Sequence, residues 1–290
     1  MTNPRGDSPQ ADPGDPSVTG LLALRVLDGP LAALAWLLAE ARVPVIVVSA
    51  AADHDQRVAV REALTDLAAP GLRRVRIDAQ GRGLEGLTAA DTAATLLVGP
   101  DLAAAPAPAL QVPFKALSRG AGLVASMEAS TLEDVYARLR RLDIRLSDDE
   151  LTFIGLVLVV RRVAVAGPPG SPGPPGPPGS PVTRVVAAHY VRPLARDPGG
   201  HVQRMGPAVL ATWDEATDTF EDYSWGIAAE LAGRIGIRPG DLDHEVERRA
   251  AYLAGLVAGG VRSVPEVRTA LDGFRLGQPS ARASGAPGTH

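Results

Sequence analysis

The sequence predicts an α/β layered sheet, on three observations. Residues 43–49 form a continuous apolar run with β-branched members, the mark of a strand buried on both faces. Residues 57–67 follow with Val60, Leu64 and Leu67 at helical spacing. Short apolar runs then alternate with helical spacings as far as Leu146.

In chain order, residues 31–42 carry Leu31, Leu34, Ala35 and Leu38 on one helical face, with Pro30 suited to the first turn. The strand at 43–49 and the helix at 57–67 make the first half of a β-α-β unit. Residues 73–78 and 94–99 read as strands, separated by a Gly-rich polar stretch at 78–92. Residues 108–119 read as helix, 122–127 as strand, and 131–141 as an amphipathic helix with Leu132, Val135 and Leu139 inward.

After Leu146 the pattern changes. Ser147 and Glu150 have the spacing of a capping box. Residues 156–166, 182–191 and 208–213 read as an antiparallel layer, the first two as a hairpin. Helices follow at 230–235, 240–256 and 264–274, with Asp241 placed to cap the middle one. Residues 1–18 and 280–290 read as disordered tails around a domain spanning 19–279.

Composition excludes several function classes. With 29 basic and 33 acidic residues the net charge is -4, so no overall positive field draws the chain to nucleic acid or anionic lipid. The absence of cysteine excludes disulfides, thiolate zinc sites and cysteine nucleophiles, and fits a reducing compartment. Residues 1–18 lack the apolar core of a signal peptide, and no apolar run reaches the length that crosses a bilayer. A cytoplasmic protein without direct membrane insertion is expected, with any membrane role, such as a peripheral position at the inner face, exercised through a partner.

Of 31 glycines and 26 prolines, five glycines and eight prolines lie in the fifteen residues 167–181. This run of Gly-x-y triplets suits either a collagen-like trimerisation strand or an extended polyproline-like loop inserted at the hairpin tip. Five triplets inside a folded domain are too few to hold three chains together, which favours the loop.

Four segments carry a family resemblance: Ala116-Leu-Ser-Arg-Gly-Ala-Gly-Leu-Val-Ala-Ser-Met-Glu-Ala-Ser-Thr131 with Glu133-Asp-Val-Tyr-Ala-Arg-Leu139; Arg184-Val-Val-Ala-Ala-His-Tyr-Val191; Trp213-Asp-Glu-Ala-Thr-Asp-Thr-Phe220; and Glu245-Val-Glu-Arg-Arg-Ala-Ala-Tyr-Leu253. Together they resemble the RecA-like secretion ATPases of type II secretion, type IV pili and archaeal flagella. The likeness runs from about 116 to 271. It implies a RecA-like P-loop NTPase core with a small antiparallel and helical C-terminal part, and assembly as a homo- or hetero-hexamer on a membrane-platform protein.

At the positions that carry the family's chemistry the sequence departs from the pattern. A phosphate loop of the form G-x-x-x-x-G-K-[ST] needs glycines so that backbone N–H groups reach the phosphates, and a lysine for the β and γ phosphates. The corresponding stretch, Ser49-Ala-Ala-Ala-Asp-His-Asp-Gln-Arg57, contains neither glycine nor lysine. Ser49, Asp55, Gln56 and Arg57 are what remains of a nucleotide site there. Asp53 and Asp55 set negative charge where a triphosphate would sit, and an arginine fork does not replace a lysine point charge. Asp101 stands where the family keeps a glutamate that orients the attacking water, one methylene longer; a plain turn aspartate after Pro100 is the other reading. Glu128 stands at the family's histidine. The resemblance therefore implies a structural or regulatory motor subunit with lost or impaired hydrolysis and no cofactor, ATP and Mg2+ entering only if the altered loop still binds. The alternative is a working ATPase with an atypical loop, powering protein secretion or pilus assembly, in which Arg57 replaces the lysine and Asp101 positions water.

Other motifs carry less. His189 and His201 lack metal-ligand spacing. Arg192, Arg196 and Arg204 suit either a solvated surface or arginine fingers across an interface. Ser49 and Ser126 lack the surroundings of a nucleophile. Gly81, Gly83 and Gly86 match G-x-G-x-x-G without a helix after them. Trp213 and Trp225, flanking an acidic turn, are expected to pack in the core or hairpin.

Overall fold

The computed structural model describes residues 16–78, 82–83, 92, 94–102, 107–141, 144–164, 181–197 and 199–277. The tip segment 165–180, the tail 278–290 and most of 79–93 lie outside the described residues.

A mixed sheet of eight strands runs through the molecule in the spatial order β10-β9-β6-β5-β1-β4-β3-β2. These are β1 Val45–Ser49, β2 Arg73–Arg76, β3 Thr95–Asp101, β4 Gly122–Glu128, β5 Leu156–Val163, β6 Val182–Tyr190, β9 Ala208–Asp214 and β10 Thr219–Asp222. Strands β5, β1, β4, β3 and β2 are mutually parallel, and β6, β9 and β10 continue the sheet antiparallel from β5. A separate two-stranded hairpin pairs β7 Ala195–Arg196 with β8 Val202–Gln203.

Strand β1 shows why its sequence is apolar throughout. Val45 and Val47 belong to one core, Ile46 and Val48 to the other, one on each side of the sheet. The first core is roofed by α1 Val18–Ala23, α2 Gly29–Glu40, α3 His54–Thr65 and the closing helices α7 Ala228–Ile235, α8 Leu242–Ala258 and α9 Val264–Leu276. The second is covered by α4 Ala107–Leu117, α5 Leu132–Leu139 and α6 Asp148–Leu151.

The helix ends follow local chemistry. Asp28 caps α2 by accepting from Leu31 N–H, with Pro30 in the first turn. Ser147 and Glu150 form the expected capping box, and Thr131 with Asp134 forms a second. Asp241 does sit at the N-cap of α8, but its carboxylate turns back to Arg238 at 2.8 Å and makes no cap bond.

Three elements differ from the sequence reading. Residues 16–18, expected in the tail, belong to the fold: Ser17 is buried, accepts from Gly20 N–H and donates to the Arg262 carbonyl at 2.6 Å. Helix α3 begins at His54, three residues early, after a 3-10 turn at Ala51–Asp53. Strand β10 and the β7–β8 hairpin, unread in the sequence, extend the antiparallel part; these strands are only two to four residues long and mostly polar.

Candidate functional site

In an open α/β sheet, ligands bind beyond the carboxyl ends of the strands, where successive connections leave on opposite faces. Here that point lies between β1 and β4. The chain leaves β1 into α3 on one face, and leaves β4 into α5 on the other. Ser49 of β1 stands in register with Glu128 of β4, and Ser126 of β4 with Asp101 of β3. The sheet thus brings Ser49, Glu128 and Asp101 to one rim, and α3 adds Asp55, Gln56 and Arg57 beside them. Of the six residues picked from the sequence, three end adjacent strands, Asp101 being placed by its backbone alone, and three open α3.

What fills the rim is the chain itself. Arg57, 1% exposed, extends back along α3 and donates from Nη1 to the Ser49 carbonyl at 3.0 Å, to Ser49 Oγ at 2.8 Å and to the Ala50 carbonyl at 3.4 Å. Its Nη2 lies 3.0 Å from His54 Nδ1. A guanidinium only donates, so this bond puts the imidazole proton on Nε2. Ser49 Oγ lies 3.0 Å from both the Ala50 and Asp53 carbonyls, its one proton serving either. Ala129 N–H also reaches the Ser49 carbonyl at 3.0 Å, so β1 and β4 stay joined past their ends.

Two further ties fix the loop. The Asp53 carboxylate accepts from Arg162 of β5, at 3.2 Å from its backbone N–H and 3.1 Å from its Nε. One turn along α3, Arg61 reaches Ser126 Oγ of β4 at 3.2 Å and pairs with Glu62 at 2.6 Å. Burial opposes ionisation of Glu62, but the guanidinium groups of Arg76 and Arg61 outweigh it and hold the carboxyl below its ordinary range.

The polarity of this loop is the reverse of a phosphate cradle. A cradle aims backbone N–H groups inward; here carbonyls of Ser49 and Ala50 converge on a cation, and that cation is the chain's own guanidinium. Asp55 and Glu128 lie exposed at the mouth. Gln56 turns aside, into a largely apolar groove of about 270 Å³ with Leu21, Leu24, Val60 and Val182. Sequence reasoning missed Arg61 and Arg162. Arg57 and Arg61 stand four apart on the helix face that carries Val60 and Leu64 inward, and arginine on an apolar face was the available signal.

The remaining candidates resolve individually. His189 is half-buried, and desolvation pulls its imidazole below the ordinary value although Glu133 opposes this. His201 is exposed and faces Asp197 at 3.2 Å. Among the described residues no group of three or more His, Asp or Glu could hold a metal ion. Arg192 pairs with Glu230 and Arg204 with Asp149, each at 2.6 Å; the Arg196 side chain lies outside the described residues. Gly83, with φ of 110°, abuts the Arg76 carbonyl, so its glycine serves a close backbone approach; Gly81 and Gly86 lie outside the described residues. Trp225 corrects the expectation of packing: it is 74% exposed.

The segments that carry the family resemblance do structural work. Trp213 Nε1 donates to Asp218 Oδ1 at 2.9 Å, and buried Arg184 of β6 grips the same carboxylate from Nε at 2.9 Å and Nη2 at 3.2 Å. Arg25 adds a second cation at 3.1 Å. Both Arg25 and Asp218 hold positive φ, 56° and 51°, a strain these contacts offset. Burial pushes the Asp218 carboxyl up, but Arg184, Trp213 and Arg25 outweigh it, and it titrates below the usual range. In the closing helices, Arg249 of α8 and Arg275 of α9 both meet Glu40 of α2 at 2.6 Å, as does Trp36 Nε1. Arg249 also stacks 4.8 Å from the Trp36 ring centroid.

Compared with known proteins, the chain matches no family model, and no curated protein matches it in sequence. Among the described residues no helix is long and apolar enough to cross a membrane.

Proposed function

We propose that this chain is a secretion-ATPase-like subunit with a RecA-like core that has given up ATP hydrolysis, and that it acts as a structural or regulatory part of a secretion or pilus-assembly motor. One observation carries the reading: at the switch point between β1 and β4, the loop that would hold phosphates is closed around Arg57 by its own carbonyls. The four quoted segments and the five-stranded parallel order with β1 inside it favour the RecA-like core. In this reading the partners are further subunits of a homo- or hetero-hexamer and a membrane-platform protein, and the chain works in the cytoplasm at the inner face of the membrane.

The alternative, an active ATPase using Arg57 in place of lysine, needs that guanidinium to face a triphosphate. Its contacts with Ser49 and Ala50 direct it into the loop instead. Phosphate release at millimolar MgATP, measured beside sedimentation velocity, tests the proposal. No turnover is expected from a protein that self-associates or co-assembles with an active motor subunit. Steady ATP-dependent phosphate release abolished by Arg57→Ala would overturn it.

A further inference from the structure

The exposed large apolar side chains are concentrated in one stretch of the chain. Of seven among the described residues, Val202, Met205, Val209, Tyr223 and Trp225 fall within 202–225; Leu24 and Leu276 are the other two. The same segment holds one arginine, Arg204, against Asp214, Glu215, Asp218, Glu221 and Asp222, so it carries a charge of -4, equal to that of the whole chain. Arg204 is engaged by Asp149, and Asp218 by Arg184 and Arg25. Glu215, Glu221 and Asp222 are exposed along the same stretch, Glu221 beside Tyr223, whose hydroxyl it accepts from. Apolar clusters rimmed by charge of one sign mark recognition surfaces.

Strand β10 borders this surface and, among the described residues, is the last strand of the sheet. Tyr223 N–H bonds inward to the Leu210 carbonyl at 2.8 Å, and the alternation of an antiparallel ladder turns the N–H and C=O groups of Phe220 and Asp222 outward. The edge is therefore open to another strand.

Charge and shape decide the occupant. Nucleic acid and anionic lipid are repelled by the carboxylates. A second copy docking through the same surface sets carboxylate against carboxylate. A second copy docking through its basic edge strand, with Arg73, Arg74 and Arg76, matches the charge but presents none of the seven exposed large apolar side chains. We propose that β10 and the apolar, acidic surface beside it bind an extended segment of another protein, with alternating apolar and basic side chains, as an added strand. This surface lies apart from the β1–β4 rim, and its role is independent of whether the loop takes nucleotide.

The test titrates the full chain with a labelled, end-capped eight-residue peptide of alternating valine and lysine, followed by anisotropy and tryptophan emission. Saturable binding is expected, with a blue shift from Trp225. Binding should weaken by about tenfold or more in the Glu221→Lys, Asp222→Lys double variant and in Trp225→Ser. These side chains are exposed, so unchanged melting curves will show that the fold survives. A peptide N-methylated at alternate residues, tried in both registers, should lose binding in the register that blocks the edge. The proposal is overturned by absence of saturable binding, by equal binding of a valine–glutamate peptide, by equal binding of both N-methylated peptides, or by Trp225-dependent self-association in sedimentation.

Discussion

The rim of the parallel strands and the antiparallel wing with its closing helices use their buried arginines in different ways. In the wing, four residues from the segments that resemble the secretion ATPases hold the structure together: Trp213, Arg184 and Asp218 knot β6 to the β9–β10 turn, and Arg249 ties α8 to α2. At the rim, the glycines and lysine that a phosphate loop needs are absent, and the residues present close the loop. A sequence signature made of buried ion pairs reports architecture, and carries no phosphate chemistry of its own. Resemblance in the wing is thus weak testimony about hydrolysis at the rim.

This contrast can be broken most forcefully in the wing. Arg184→Ala leaves the Asp218 carboxylate without its buried partner and should cost about 3–5 kcal/mol in urea unfolding; a loss under about 1 kcal/mol would mean the knot is dispensable. Glu40→Ala removes the acceptor shared by Arg249, Arg275 and Trp36, and a loss of about 3 kcal/mol is expected. Glu40→Gln should lose less, since it still accepts. At the rim, Arg57→Ala opens the loop and should cost about 2 kcal/mol. A stability loss with no turnover to lose separates closure from catalysis, whereas lost turnover at unchanged stability would reverse the assignment.

Acid titration sharpens the same comparison with a smaller effect. The folded-state values of Asp218 and Glu62 lie below their unfolded ones. Their contribution is therefore present above the usual carboxylate range, about pH 4, and is lost as pH falls through the lowered values. Asp218→Asn, which tolerates the positive φ, should flatten the fall of the melting temperature below about pH 4. Asp28 has the opposite sign. Burial, with Asp222 adding to it and the Leu31 N–H bond opposing, raises its carboxyl, so ionised Asp28 detracts from stability at neutral pH. Asp28→Asn keeps the cap and should leave stability at pH 7 unchanged or raise it by less than about 1 kcal/mol.

Much of the fold could be read in the sequence where one force dominates. The run ending at Ser49 is apolar because both faces of β1 are buried, and β5 and β6 pair antiparallel as expected. Helix α1 was hidden because its short apolar stretch adjoins a polar, Pro-rich start, although Ser17 offered a capping signal. Strand β10 was illegible because Thr219–Asp222 owes its conformation to pairing with β9 and is mostly polar. The site was legible as a place, since Ser49, Asp101 and Glu128 end adjacent strands. Its closure was not, because it depends on how Arg57 reaches back eight residues to Ser49 through a 3-10 turn that no residue pattern specifies.

The most direct test of the closed loop is equilibrium calorimetry of the full chain with MgATP, with Arg57→Ala run alongside. A loop whose carbonyls converge on Arg57 predicts no binding heat up to about 1 mM nucleotide for either protein, because removing the guanidinium leaves acceptors and Asp53 facing the phosphates. Micromolar binding by the wild-type chain, lost in Arg57→Ala, would contradict it.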